Sequence, residues 1–462
     1  MNPEVIQRII KAYDIRGLVD GELTEDFAFA TGVAFARFLE TQREPGTVVI
    51  GEDMRPSSPE LANAFTDGLT SQSFDVIRIG LASTDQLYFA SGSLNLPGAM
   101  FTASHNPAAY NGIKLCLSGA RPISQETGLG WMKNEILNGA PLGFRNVGRV
   151  RESNILNDYV DFLFSLFPED SFKRSFKGRE LVIAVDTGNG MGGHTVPPVM
   201  SRINTKVHPL YFELDGTFPN HEANPIEPKN LVDLQKLVID ENADIGLAFD
   251  GDADRCFLVD EQGRLISPSA LTALIATREL RRYPGSSIIY NLICSRSVPE
   301  VVKELGGLPI RSRVGHSFIK KLMAEHDAVF GGEHSGHYYF RDFWRADSGM
   351  LAALHAIAAL LESNLSLSEL IAEFDRYSQS GEINTKVVDQ AEAISRIREH
   401  YQSLLERLEF DELDGLTVSA PNWWFNVRAS NTEPLLRLNV EAASNEELER
   451  IKTTVLELMN LQ

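Results

Sequence analysis

The sequence predicts a multidomain protein of the α/β class, in which three similar mixed α/β units precede a C-terminal α+β domain. Three observations predict it. Short β-branched runs at residues 48–51, 181–186 and 287–291 each break at a polar turn and pass into helical spacing, the alternation of α/β units. Each unit holds a second run that ends in a loop of small and polar residues, at 98–107, 245–255 and 328–337. The tail differs: a helical stretch at 391–408 leads to strand-like runs at 416–419, 424–427 and 435–440, then to a final helix from about Asn445.

A chain of 462 residues is too long for one hydrophobic core and suits three or four domains. Polar or turn-rich sequence near Glu152, Asp260 and Ser378 divides it into 1–152, 153–260, 261–377 and 378–462. Hydrophobic and charged fractions of 43% and 23% are those of a globular protein. The net charge of -20, with no dense Lys/Arg cluster, argues against nucleic acid or an anionic membrane surface as partner. An anionic substrate must then be met by a few placed cations. Three scattered cysteines, Cys116, Cys256 and Cys294, suit neither a disulfide framework nor a zinc site and fit a reducing cytoplasm. Residues 1–16 lack the apolar core of a signal peptide, and the apolar stretch 350–361 is too short for a bilayer and predicts a buried helix.

Four loops carry the chemistry. The first, Thr102-Ala103-Ser104-His105-Asn106-Pro107, followed by Tyr110-Asn111-Gly112-Ile113-Lys114, holds a hydroxyl between a strand and a proline-terminated turn. Turn bonding alone would explain Ser104, His105 and Asn106 if they stood in isolation. The second, Asp250-Gly251-Asp252-Ala253-Asp254-Arg255, sets three carboxylates at alternate positions, and their repulsion calls for a hard cation such as magnesium. Asp250, Asp252, Asp254 and Glu261 match positions of an EF-hand, but Arg255 stands where that loop turns on glycine, and the flanks read as strands. Arg255 itself suits a phosphate beside the metal. The third loop, Gly331-Gly332-Glu333-His334-Ser335-Gly336-His337, has the groups to bind sugar hydroxyls. The fourth, Arg428-Ala429-Ser430-Asn431-Thr432-Glu433-Pro434, has the parts of a phosphate-binding concavity. An ordinary polar turn is the alternative for either of these two.

These loops, in this order and with Tyr13-Asp14-Ile15-Arg16-Gly17 ahead of them, resemble the α-D-phosphohexomutase superfamily, most closely its phosphomannomutase/phosphoglucomutase branch, over essentially the whole chain. The resemblance implies four domains around a central cleft, the last resembling the TATA-binding-protein fold. By position it implies that Ser104 is the phosphoserine and that Asp250, Asp252 and Asp254 bind Mg2+, with the Ser104 phosphate as a further ligand. Arg16, Lys114 and Arg255 would surround the transferring phosphoryl group, and Glu333 with Ser335 would grip the sugar. Tyr13 belongs to the substrate-binding set, His316 and His337 would lie beside the sugar, and one of these groups would move the proton. Arg428, Ser430, Asn431 and Thr432 would hold the non-reacting phosphate.

Residues 214–219, 221–225 and 291–296 resemble bacterial phosphomannomutases in particular, which favours mannose phosphate, with glucose phosphate beside it. Ala253 stands where many relatives have glycine, Ile293 where some offer a lysine, and His334 varies between subfamilies. The implied reaction interconverts hexose 1-phosphate and hexose 6-phosphate through hexose 1,6-bisphosphate, which also serves as activator, in a monomer or homodimer. Phosphoglucosamine mutase, a hydrolase that passes the phosphoryl group to water, and a non-catalytic sugar-phosphate binding protein are the rival readings.

Overall fold

The computed structural model describes residues 2–139, 146–404, 407–429 and 435–460. The chain divides into two compact units, Met1–Ile266 with Ser335–Leu370, and Ser267–His334 with Ile371–Gln462.

In the first unit the predicted run at 48–51 is the strand Thr47–Glu52, flanked in parallel by Asp75–Leu81 and Gly98–Phe101. Val48, Val49 and Ile50 are all fully buried, the continuous apolar run that a strand covered on both faces needs. Gly98–Phe101 turns back as the antiparallel strand Tyr110–Leu117, and Ile15–Leu18 pairs with the far side of that strand. Helices Glu25–Gln42 and Ser58–Thr70 pack closely because glycines face each other at their crossing. A Cβ on Gly32 would lie 2.3 Å from the Phe65 carbonyl oxygen, and one on Gly68 would lie 2.2 Å from that of Phe29.

A second sheet runs Leu265–Ile266, Cys256–Asp260, Ile245–Phe249, Leu181–Asp186, Thr205–Leu210. Its last three strands are parallel, whereas Cys256–Asp260 returns antiparallel to Ile245–Phe249 with Phe249 opposite Cys256. That pairing leaves residues 250–255 as the hairpin connection, so the acidic loop sits between strands and not between the helices of an EF-hand. The predicted buried helix is Gly349–Ser363, with every residue from Gly349 to Leu361 buried, as expected of a helix apolar all round. Among the described residues no helix is long and apolar enough to cross a membrane.

In the second unit Ser287–Asn291 lies parallel to Leu308–Ser312 and Phe330–Gly332. The tail is an antiparallel sheet ordered Ser378–Lys386, Leu435–Ala442, Trp423–Ala429, Leu416–Ser419, Glu409–Asp411. Helices Gln390–Gln402 and Asn445–Asn460 place Ile397, Tyr401, Leu448, Ile451 and Val455 against its Phe425, Leu436 and Leu438. Arg296 ties the two sheets of this unit together: its guanidinium donates to the carbonyls of Ala420, Pro421 and Trp423, and its backbone N–H to Glu441. The α/β units and the antiparallel tail give the four-domain α/β class predicted from the sequence.

Candidate active site

Ser104 follows the strand Gly98–Phe101 and is 2% exposed, with φ +50°. A left-handed backbone at a non-glycine residue costs about 1–2 kcal/mol, so neighbours must hold it. Thr102 Oγ1 accepts its backbone N–H at 2.9 Å, and Ser104 Oγ donates to Asp250 Oδ2 at 2.8 Å.

Asp250, Asp252 and Asp254 are fully buried, and each offers an oxygen within 4.8 Å of the other two. Asp252 Oδ2 accepts from Thr84 Oγ1 and from Lys114 Nζ, both at 2.6 Å, and Lys114 Nζ also reaches Asp254 Oδ2 at 2.6 Å. Burial, with the Asp252 charge adding to it, pushes Asp250 up to about 7 and Asp254 well above the usual carboxylate range. At Asp252 burial acts in the same direction, but Lys114 and Thr84 outweigh it and hold that carboxyl below the usual range. Oδ1 of Asp252 and of Asp254 is buried without a hydrogen-bond partner among the described residues. Carboxylate oxygens with uncompensated buried lone pairs are the donor set that magnesium takes, and these residues fit it.

The acidic loop meets the serine loop at Gly251, where a Cβ would fall 2.4 Å from the Ser104 carbonyl oxygen. Gly251→Ala must therefore part the two loops, and a misplacement of about 1 Å at a reacting group can lower kcat by about 100-fold. Steady-state assay beside thermal unfolding checks this, with the loss in kcat expected to exceed any loss of folded protein. Ala253, the departure from glycine, has φ +59° and is 1% exposed, so here too the loop bears a left-handed residue.

The cations come from adjacent strands. Arg16 on Ile15–Leu18 stands opposite Gly112, and Lys114, two residues farther along Tyr110–Leu117, shares that face. Arg16 donates to Asn106 Oδ1 and to Asp14 Oδ2, each at 2.6 Å. Burial opposes its charge, but Asp14, Asp252 and Asp254 raise its pKa nonetheless. Lys114 shows the same contest, won by Asp252 and Asp254. Tyr13 is half-buried in the turn that leads into Ile15–Leu18.

Arg255 closes the hairpin and forms an isolated bridge with His337. Its Nε donates to His337 Nε2 at 3.2 Å and its Nη2 to His105 Nδ1 at 2.9 Å. A neutral His337 that accepts at Nε2 carries its proton on Nδ1, where it meets Ser335 Oγ at 2.9 Å. His337 Nε2 also lies 3.6 Å from Asp254 Oδ1, which would stabilise an imidazolium. Burial, and then Arg255, hold His105 well below the usual histidine range, so it is neutral beside Ser104 Oγ at 3.2 Å.

The other predicted residues belong to the second unit. Glu333 is 2% exposed directly after Phe330–Gly332 and accepts from the backbone N–H of Gly315 at 3.1 Å. His316 begins the helix that follows Gly315. His334 is half-buried, and desolvation lowers its pKa. Ile293 packs with Leu292 against Trp424, so its side chain serves the core. Arg428 lies near the end of Trp423–Ala429 and pairs with Glu382. Ser430, Asn431 and Thr432 lie outside the described residues.

The first unit thus gathers Ser104, the three aspartates, Arg16, Lys114, Arg255, Ser335 and His337. Sequence reasoning missed Thr84 and its neighbour Asp85. Asp85 is buried, pushed by that burial up to about 6, and accepts from Ser83, Tyr159 and Ser348. The only signal for them was the capping run Ser83-Thr84-Asp85 at the start of the helix Thr84–Leu94.

Comparison with known proteins gives a consistent result. The phosphoglucomutase/phosphomannomutase α/β/α domains I, II and III match residues 7–134, 157–263 and 267–377, and the C-terminal domain of that family matches 382–458. A phosphomannomutase of Escherichia coli is 40% identical over 452 residues, covering 96% of this chain and 97% of that one. A protein of Xanthomonas campestris named phosphohexose mutases is 38% identical, over 98% of each chain. The crystal structure of a phosphoglucomutase/phosphomannomutase family protein from Burkholderia thailandensis superposes with a TM-score of 0.87 at 31% identity, covering 98% of this chain and 97% of that one.

Proposed function

This chain belongs to the phosphoglucomutase/phosphomannomutase family, and on that footing we propose that it interconverts mannose 1-phosphate and mannose 6-phosphate, with glucose phosphates as further substrates. It is a phosphohexomutase, an enzyme that relocates a phosphoryl group on a hexose. The observation that carries the reading is Ser104 Oγ held 2.8 Å from Asp250 amid three buried aspartates, with Lys114 and Arg255 at their edge.

A serine hydroxyl is a weak nucleophile, but a phosphorylated Ser104 is a donor. A sugar hydroxyl attacks its phosphorus, the bond to Ser104 Oγ breaks, the hydroxyl proton passes to His337 Nε2, and Ser104 Oγ takes up a proton from solvent to become the hydroxyl again. Arg16, Lys114 and Arg255 position the phosphoryl group and offset its charge in line with the attack. Magnesium held by Asp250, Asp252 and Asp254, and by the phosphate of Ser104, would supply further neutralisation of the phosphoryl oxygens. Glu333 and Ser335 bind sugar hydroxyls, Tyr13 and His316 belong to the same substrate-binding set, and Arg428, Ser430, Asn431 and Thr432 hold the phosphate that does not react. The hexose 1,6-bisphosphate then turns, and its other phosphoryl group returns to Ser104.

Mannose is favoured by the phosphomannomutase names of relatives such as that of Escherichia coli. With mannose, glucose and glucosamine 1-phosphates assayed in parallel, kcat/KM is expected to be highest for mannose and at least roughly 100-fold lower for glucosamine, whose amino group replaces the 2-hydroxyl. Preference for glucosamine would make the chain a phosphoglucosamine mutase, free phosphate without isomerisation a hydrolase, and silence with every sugar a binding protein. The domain boundaries we propose are 1–152, 153–260, 261–377 and 378–462. A cytoplasmic location accords with Cys116, Cys256 and Cys294, all buried and none in a disulfide.

A further inference from the structure

Arg55 is the largest fully buried side chain described, although it lies on no strand or helix and bears a charge. A guanidinium has five N–H donors, and each of these five has an acceptor. Nε donates to Asp53 Oδ2 at 3.2 Å. Nη1 donates to the carbonyls of Pro107 at 3.0 Å and Tyr110 at 2.8 Å. Nη2 donates to those of Ser104 at 2.9 Å and Asn106 at 2.7 Å. Four carbonyls of the serine loop, that of Ser104 included, therefore converge on one side chain.

The turn at 214–219 seals the arrangement. A Cβ on Gly216 would lie 2.5 Å from Arg55 Cα, and the Phe218 ring stands 5.0 Å from the guanidinium carbon. Asp53 accepts the Arg55 backbone N–H and the Ser58 hydroxyl, so the anion that fixes Nε is itself fixed. A carbonyl fan of this kind would splay apart without a cation at its centre, and the left-handed backbone of Ser104 would lose its restraint.

We propose that Arg55 is a positioning residue: it holds the loop so that the Ser104 phosphoryl group lies in line with a sugar hydroxyl and out of line with water. The role rests on Ser104 being the phosphorylated residue. When the loop is loose, water oxygen attacks the phosphorus, the bond to Ser104 Oγ breaks, Oγ takes a proton from the water, and phosphate leaves. Lysine at position 55 keeps the charge but cannot reach four carbonyls from two directions.

The test is Arg55→Lys with magnesium, mannose 1-phosphate and glucose 1,6-bisphosphate, with phosphorylated Ser104 quantified by mass spectrometry. Expected are a fall of about 100-fold in kcat per phosphorylated Ser104 and a rise of at least about tenfold in phosphate released per isomerisation. A merely structural role would lower both activities together and leave their ratio alone. Unchanged kcat per phosphorylated Ser104, or lowered kcat with an unchanged release ratio, overturns the role of Arg55. If Arg55→Lys does not fold, Phe218→Leu at the half-exposed ring is expected to raise the release ratio about threefold, and an unchanged ratio overturns the role equally. Wild-type protein that forms no phosphoserine at Ser104 would sink the underlying reading instead.

Discussion

Ser104→Ala is expected to lower isomerisation by about a millionfold, to the background of the assay, because the residue that carries the phosphoryl group between the two positions is gone. The expected loss exceeds anything that packing could cause. Ser104→Ala gives up the side-chain bond from Oγ to Asp250 and the 3.2 Å contact with His105 Nδ1, each a hydrogen bond of about 1 kcal/mol net. The midpoint of thermal unfolding should therefore move by only a few degrees. Incubation with radiolabelled glucose 1,6-bisphosphate should label the wild type and leave Ser104→Ala unlabelled. Isomerisation that survives the substitution would mean that another group carries the phosphoryl, and His105, neutral and 3.2 Å from Ser104 Oγ, would be the next residue to replace.

What the sequence could show depended on how local each signal was. The acidic loop was legible because an apolar run, three alternate aspartates and a second apolar run follow one another, and the structure turns them into a hairpin with that loop as its connection. The strand Ser378–Lys386 was missed because its residues, Ser-Gln-Ser-Gly-Glu-Ile-Asn-Thr-Lys, show almost no apolar alternation, and an edge strand does not require it. Thr84 could not be assigned to the site, since its partner Asp252 is 168 residues away and nothing in a capping threonine announces that contact. Arg55 was equally silent: its acceptors are backbone carbonyls, which leave no trace in residue type. Ser335 and His337 were read with Glu333 as one sugar loop, but Ser335–Leu370 belongs to the first unit, where the pairing of Arg255 with His337 brings that imidazole to the aspartates.

Asp252→Asn tests the aspartates through the geometry of one carboxyl group. Asp252 Oδ2 is committed to Thr84 and Lys114, both donors, while Oδ1 is buried with no hydrogen-bond partner among the described residues. An asparagine has one acceptor where the carboxylate has two, so either orientation of the amide fails. With its NH2 toward Thr84 and Lys114, donors face donors; with its NH2 in the place of Oδ1, the position open to a cation presents hydrogens. Loss of metal-assisted charge stabilisation worth about 4 kcal/mol corresponds to a fall in kcat of roughly 1000-fold. Stability separates the metal from the fold. Removal of the Asp252 charge relieves Asp250 and Asp254, whose pKa values it helps to raise, but Lys114 and Thr84 hold Asp252 below the usual carboxylate range, so that carboxylate stabilises the fold. In chelator, Asp252→Asn is therefore expected to unfold at a lower temperature than the wild type. On addition of magnesium the wild type should gain stability by mass action and the variant should not. An equal gain in both proteins would show that magnesium binds elsewhere, and the hard-oxygen site formed by Asp250, Asp252 and Asp254 would lose its assignment.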